Sequence, residues 1–302
     1  MTFHLPFRSQ RTCYPLSVTD ERRFDQGYDG PVFVWDIDKT YLSTHFSSPK
    51  GMMRIPIEFA VDKRAIAGMP QVLRGLRRGP GPAYEGLPLY FVSASPPQLK
   101  SVITKKMLLD GVEYDGIIFK DWIRSLAQLR PGRLQEQVGF KLCALLTARQ
   151  PRPRSVEYLF GDDVEQDALA FYLYARILSG EMPPGRAEIA MKEAGVPRDD
   201  RHCVRALLDR LDRPLGSVAR IHIHLEAKTP PERFAKFGKL VRPVQGAYQL
   251  ALALYADHLL PANTVTSIAN SMEPSHRTAM ETDAVARGLI PNESDIPHSD
   301  RI

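Results

Sequence analysis

Two carboxylates stand one residue apart, Asp36 and Asp38, directly after the short apolar run 32–35 (VFVW). A second acidic pair, Asp162 and Asp163, follows another apolar run, 156–160, with Asp167 four residues on. Between them in sequence lie Ser93, just after the run 87–92, and Lys141. Carboxylates bind a hard cation through oxygen, and magnesium accepts one or two of them together with phosphate oxygens. A cation and a lysine together neutralise a phosphoryl group, so that an anionic carboxylate can approach phosphorus. One carboxylate then serves as nucleophile, while its neighbour protonates the leaving oxygen and later activates water. The residue types fit phosphoryl transfer, with the pair Asp36 and Asp38 and the acids after 156–160 near a cation and the phosphoryl group.

Such groups act together only if the fold brings them to one place, and the surrounding pattern provides for this. Runs 32–35, 87–92, 114–119 and 156–160 are short, β-branched and aromatic, as buried parallel strands are. Helical spacing falls between them, at 66–78 (stopped by Gly79-Pro80-Gly81-Pro82), 97–109, 134–149 and 168–178. Strands alternating with helices predict an α/β fold with a parallel central sheet covered on both faces. In such a sheet the residues that follow the strands converge on one crevice. Further on, 180–217 reads as a helical insertion, 221–225 as a fifth strand and 248–260 as a closing helix. Residues 1–28 read as an irregular N-terminal arm, 29–261 as the folded domain, and 262–302 as a flexible tail.

Composition narrows the class. The chain has 302 residues, 43% of them hydrophobic and 25% charged, enough to bury a core without staples. Its three cysteines, Cys13, Cys143 and Cys203, show no pairing or metal-ligand spacing and read as reduced thiols. No window is long and apolar enough for a membrane span, and the first residues lack a secretory core. These points place the protein in the cytoplasm. The formal charge of +5 is spread thinly, and clusters such as Arg74-Arg77-Arg78 and Arg149-Arg152-Arg154 read as solvated basic surface. No aromatic-basic recognition motif predicts stable nucleic-acid binding.

Taken together, these motifs resemble the haloacid dehalogenase superfamily. Asp36-Ile37-Asp38-Lys39-Thr40 matches its DxDxT motif, Phe91-Val92-Ser93 its second motif, Lys141 the lysine of the third, and Gly161-Asp162-Asp163 with Asp167 the acidic fourth. Within the superfamily, Val92-Ser93-Ala94-Ser95-Pro96 and the spacing from Gly161 to Asp167 are similar to the phosphatidate phosphatase catalytic domain. The resemblance implies a three-layer Rossmann-like core with a minimal cap and a magnesium-dependent phosphatase. It also implies an aspartyl-phosphate on Asp36, Asp38 as general acid/base, magnesium held by Asp36, Asp38 and Asp162, a phosphoryl group held by Thr40, Ser93 and Lys141, and Asp163 and Asp167 in support. An open site would suit a bulky phosphomonoester such as phosphatidate. A soluble phosphatase of nucleotides, sugar phosphates or phosphoproteins, and a non-catalytic phosphoryl-binding module, are the alternatives.

Several positions carry competing readings. Ser95 rivals Ser93, and Lys120 rivals Lys141, since each also follows a strand. Asp167 also suits the first turn of a helix, where the dipole favours an acid. His222 and His224 share a strand face and read as a packed or hydrogen-bonded pair, with no third metal ligand beside them.

Overall fold

The computed structural model describes residues 13–43, 64–121 and 137–297. In chain order the strands are β1 (Leu16–Asp20), β2 (Pro31–Asp36), β3 (Leu42–Ser43), β4 (Arg64–Ala65), β5 (Leu89–Ser93), β6 (Gly116–Lys120), β7 (Val156–Asp162), β8 (Val218–His224) and β9 (Val241–Val244). The α-helices are α1 (Met69–Arg78), α2 (Lys100–Leu109), α3 (Val138–Arg149), α4 (Asp167–Leu178), α5 (Pro184–Glu193), α6 (Arg198–Leu208), α7 (Gly246–Ala256), α8 (Ala262–Ala269) and α9 (Pro274–Ala286).

Seven strands form one sheet in the order β1-β6-β5-β2-β7-β8-β9. Every pairing is parallel except β1 with β6, so β2, β5, β6, β7 and β8 all end at the same edge. Successive side chains on a strand point to opposite faces, and here both faces are covered. Val32 and Val34 of β2 join Tyr90, Val92 and Ile118 under α3, α4, α5 and α6. Phe33 and Trp35 join Phe91, Phe119 and Phe160 under α1, α7 and α8. The result is a three-layer α/β architecture of Rossmann-like type.

One cross-strand ladder recurs below. Trp35, Phe160 and His222 are register partners on β2, β7 and β8. Trp35 stacks on Phe160 with ring centroids 4.1 Å apart, and Phe160 on His222 at 5.3 Å. His222 is fully buried and neither ring nitrogen has a hydrogen-bond partner.

Four readings of the sequence are corrected. The arm is not irregular throughout, because residues 16–20 form β1 against β6. This strand is buried at only one of its five positions, so apolar alternation does not reveal it. The tail is not free either. It forms α8 and α9, and Val265, Ile268, Met280, Ala284 and Ile290 pack into the core beside α7. Its apolar residues are few and widely spaced, giving no strong period over so polar a stretch. Cys13 and Cys203 form a disulfide across 190 residues of sequence, with Cα atoms 5.5 Å apart. A pairing of that span leaves no local spacing to read, and a compartment inferred from unpaired thiols loses its premise.

The fourth correction concerns the second basic cluster. Arg149 and Arg152 are buried, not solvated, and both pair with the buried Glu157 at 2.6 and 2.5 Å. The Tyr174 hydroxyl donates to the same carboxylate at 2.6 Å, and Arg152 lies over the Tyr90 ring. Burial raises the cost of charging Glu157, but Arg149 and Arg152 outweigh it and hold its pKa below the usual range. β9 has no counterpart in the sequence reading, being only four residues long and containing Pro243. Proline at that place suits the last strand of a sheet. Among the described residues no helix is long and apolar enough to cross a membrane.

Two measurements check this packing. Alkylation of the denatured, unreduced chain should modify only Cys143, against all three cysteines after reduction. Cys203→Ser should lower stability by about 2–4 kcal/mol, because the crosslink restricts the unfolded chain. Burial, with Arg242 and Arg220 adding to it, pushes the pKa of His222 down to about 3. The unfolded imidazole therefore takes up its proton first as pH falls, and stability is lost between about pH 6.5 and 3. Chemical unfolding should find the protein about 2 kcal/mol less stable at pH 5 than at pH 7 from this group alone. His222→Phe should remove that increment, and an unchanged acid slope in the variant would refute the assignment.

Candidate active site

Asp36 ends β2 and is 1% exposed, while Asp38 sits in the loop beyond it at 8%. That loop is tightly turned. The Ile37 carbonyl accepts the N–H groups of Tyr41 and Leu42 at 3.0 and 2.9 Å, and the Lys39 N–H donates to the Leu42 carbonyl at 2.7 Å. Lys39 takes a left-handed conformation, φ 62°, to close it. His224, at the end of β8, places Nδ1 2.9 Å from the Lys39 carbonyl. A carbonyl only accepts, so Nδ1 carries the proton and braces the loop.

The two aspartates face different partners. Asp36 Oδ1 lies 2.8 Å from Lys141 Nζ on α3. The same ammonium pairs with Asp167, at the start of α4, and with Glu165 at 3.1 Å. Asp162, at the end of β7, spends one oxygen accepting the N–H groups of Val164 and Glu165 at 2.6 and 2.8 Å. Gly161 is needed beside it, since a Cβ there would collide with the Asp167 carboxylate. Asp38 Oδ2 instead accepts the hydroxyls of Ser93 at 3.0 Å and Ser95 at 2.8 Å. The Ser95 N–H donates to Ser93 Oγ, also at 3.0 Å.

Electrostatics set this crevice apart. Burial pushes the pKa of Asp36 well above the usual carboxylate range; Lys141 opposes this, and Asp167, Glu165 and Asp162 reinforce it. Asp162 is pushed up to about 8, by burial and then by Asp167. Asp167 is pushed up to about 6 by burial, against the pull of Lys141. Burial alone would lower Lys141, but Asp167, Asp36, Glu165 and Asp162 raise it well above the ordinary lysine value. One ammonium thus faces four carboxylates, and the cluster is short of positive charge.

Oxygens of Asp36, Asp162 and Asp167 lie within 4.8 Å of one another. Oδ2 of Asp36 and Oδ2 of Asp162 are buried with no hydrogen-bond partner. A set of hard carboxylate oxygens, two of them unsatisfied, fits a divalent cation such as magnesium. The Thr40 hydroxyl is likewise buried without a partner and is left over for an incoming ligand.

Of the residues singled out in the sequence, Asp36, Lys141, Asp162 and Asp167 come together, and Asp38 and Ser93 meet beside them. Asp167 is both the first residue of its helix and a partner of Lys141. Lys120 ends β6 with its ammonium 5.6 Å from the centre of the Phe140 ring. Both carboxylate oxygens of Asp163 are spent on the N–H groups of Ala227 and Thr229, at 2.7 and 2.9 Å, which holds the loop after β8. Glu165 went unnoticed, although it lies inside the acidic stretch 162–167, and His224 had no local signal pointing to Lys39.

A family model described as phosphatidate phosphatase APP1, catalytic domain, matches residues 32–183, half of the chain. The match contains every residue of the crevice named above except His224. Neither curated proteins nor solved structures return a match.

The charge deficit predicts a measurable response to metal. Magnesium at ten times its Kd should stabilise the fold by about 1.4 kcal/mol, through binding to the native state alone. The gain should disappear with chelator and in Asp162→Asn. A thermal midpoint indifferent to magnesium would count against the cation site.

Proposed function

Since the chain belongs to the phosphatidate phosphatase APP1 catalytic-domain family, we propose that this phosphatase is a magnesium-dependent phosphomonoesterase of the haloacid dehalogenase type, acting through an aspartyl-phosphate on Asp36, with a phosphatidate-like phospholipid as substrate. Family membership supports phosphatase activity and a phosphorylated lipid. The observation that carries the mechanism is the division of labour between the two aspartates. Asp36 is held by a cationic side chain, whereas Asp38 is held by two hydroxyls.

Asp36, Asp162 and the backbone carbonyl of Asp38 would hold magnesium, which when bound neutralises phosphoryl charge. Lys141, Ser93 and Thr40 bind and orient the phosphoryl oxygens. An oxygen of Asp36 attacks phosphorus while the ester P–O bond breaks, and Asp38 gives its proton to the departing alcohol oxygen. Water then attacks the phosphorus of the aspartyl-phosphate, with Asp38 taking the proton. Phosphate leaves and the Asp36 carboxylate is restored. Asp38 must hold a proton in the first step and accept one in the second. Its contact with two hydroxyls suits both states, because a hydroxyl can donate or accept.

The test is phosphate release from short-chain phosphatidate, an aryl phosphate, nucleotides, sugar phosphates and a phosphopeptide. Turnover should need magnesium, favour phosphatidate, and fall by at least about a thousandfold in Asp36→Asn. Asp38→Asn should cost phosphatidate hydrolysis about 10²–10⁴-fold. The first step on an aryl phosphate should suffer less, because that leaving group departs without a proton. Equal losses for both substrates in single turnover would remove Asp38 as the general acid. A folded protein that binds magnesium yet releases no phosphate from any substrate would favour a binding role.

A further inference from the structure

A second charged concavity lies away from the crevice. Strand β9, the 3₁₀ segment Pro231–Leu240 before it and the end of α9 enclose a groove of about 710 Å³. Its cationic lining is Arg220, Lys239, Arg242 and Arg287, and its apolar wall includes Phe234 and Leu289. Arg220 stands opposite Tyr158, four residues before Asp162 along β7. Arg220 is therefore about 13 Å of strand short of the catalytic edge, and the rest of the groove lies around β9, two strands across the sheet from β7.

The charges here are not balanced. Arg242 pairs with Asp257 at 2.9 Å, and Arg220 approaches the same carboxylate oxygen at 3.6 Å. One carboxylate thus serves two guanidiniums, and Arg220 Nε is left buried without a hydrogen bond. Arg287 is anchored by Asp283 at 2.7 Å and by the Pro243 carbonyl at 2.6 Å. Lys239 is exposed on the rim, where Glu232 is the acidic lining residue. A concave surface with surplus guanidinium charge suits a compact anion with several acceptor oxygens. Apolar side chains on the same wall suit a ligand whose anion carries a hydrophobic part.

We infer that the groove between β9 and α9 is a second binding site, separate from the catalytic crevice, for an amphiphilic phosphate ester. It does not rest on the catalytic reading, because none of its residues belongs to the crevice. Arg220 and Lys239 bind the phosphate, Arg242 and Arg287 shape the wall, and Phe234 and Leu289 meet the apolar portion. His222 lies in register with Arg242 and on the same strand face as Arg220, so its imidazole senses occupancy of the groove. His224, bonded to Lys39, senses the crevice in the same way.

The test uses the full chain carrying Asp36→Asn, so that ligand is not consumed, with ¹³C-labelled histidine rings observed by NMR. Dihexanoyl phosphatidate should shift the His222 signal saturably. Inorganic phosphate should need about ten times the concentration, and dihexanoylglycerol should leave the signal unmoved. Lys239→Glu, at an exposed position, should weaken the His222 response about tenfold while leaving that of His224 unchanged. Arg220→Gln should do the same if it folds. The proposal is overturned by a His222 signal that stays still while His224 responds, or by one indifferent to Lys239→Glu. Equal response to inorganic phosphate would overturn the amphiphile. Silence at His224 with saturation at His222 would damage the catalytic reading and leave the groove standing.

Discussion

A buried ammonium surrounded by carboxylates is the constraint around which this fold is arranged. Lys141 has no exposed surface, and bare burial of its charge would be costly. The charge is tolerated because Asp36, Glu165 and Asp167 are brought against it from β2 and from the turn into α4. That meeting requires β2 and β7 to be parallel neighbours ending at one edge, and α3 to cross them with its lysine inward. It also requires Gly161, because nothing larger fits beside the Asp167 carboxylate. Helix placement, strand order and one glycine therefore answer to a single electrostatic demand. The demand is only partly met, since one ammonium cannot hold four neighbouring carboxyl groups ionised together, and the unsatisfied oxygens of Asp36 and Asp162 mark where the balance is missing.

The sheet separates this chemistry from the rest of the core by simple alternation. Along β2, Val32 and Val34 go to one layer, Phe33 and Trp35 to the other, and the strand ends on Asp36 at the sheet edge. The same step occurs on β7, where Phe160 still stacks with Trp35 and Asp162, two residues later, faces the crevice. On β8 it distinguishes two histidines two residues apart. His222 closes an aromatic ladder and is kept neutral, whereas His224 braces the Lys39 loop.

These relations explain what could be read from the sequence. Continuous apolar runs ending in acids identify buried parallel strands with groups at their C-terminal ends, so the crevice and the sheet were legible together. Lys141 could be placed because its helix lies just before β7. What escaped notice depends on long-range partners or on short, half-exposed elements. β1 and β9 offer five and four residues with little alternation. The helices from Ala262 onward bury isolated residues, and only against a surface that the rest of the chain builds. Cys13 and Cys203 meet through tertiary structure alone. Arg149 and Arg152 looked like surface charge because the carboxylate that buries them, Glu157, stands on the following strand and reads there as an ordinary polar position.

The last contrast gives the crevice its meaning. Near the start of β7 the chain buries Glu157 between two guanidiniums, with a tyrosine hydroxyl and backbone carbonyls taking up further donors. There a lone acid is over-supplied with positive charge and its pKa is held down, while Nε and Nη2 of Arg152 stay buried without a hydrogen-bond partner. At the other end of the same strand Asp162 joins three more acids around one lysine, and its pKa is driven up. Buried ion pairs by themselves say little about function, since either arrangement can be structural. The direction of the imbalance separates them: a surplus of guanidinium charge around one acid repels a cation. A surplus of carboxylates leaves Oδ2 of Asp36 and Oδ2 of Asp162 buried without a partner even after the N–H groups of Val164 and Glu165 are taken up, an arrangement that a divalent cation would satisfy.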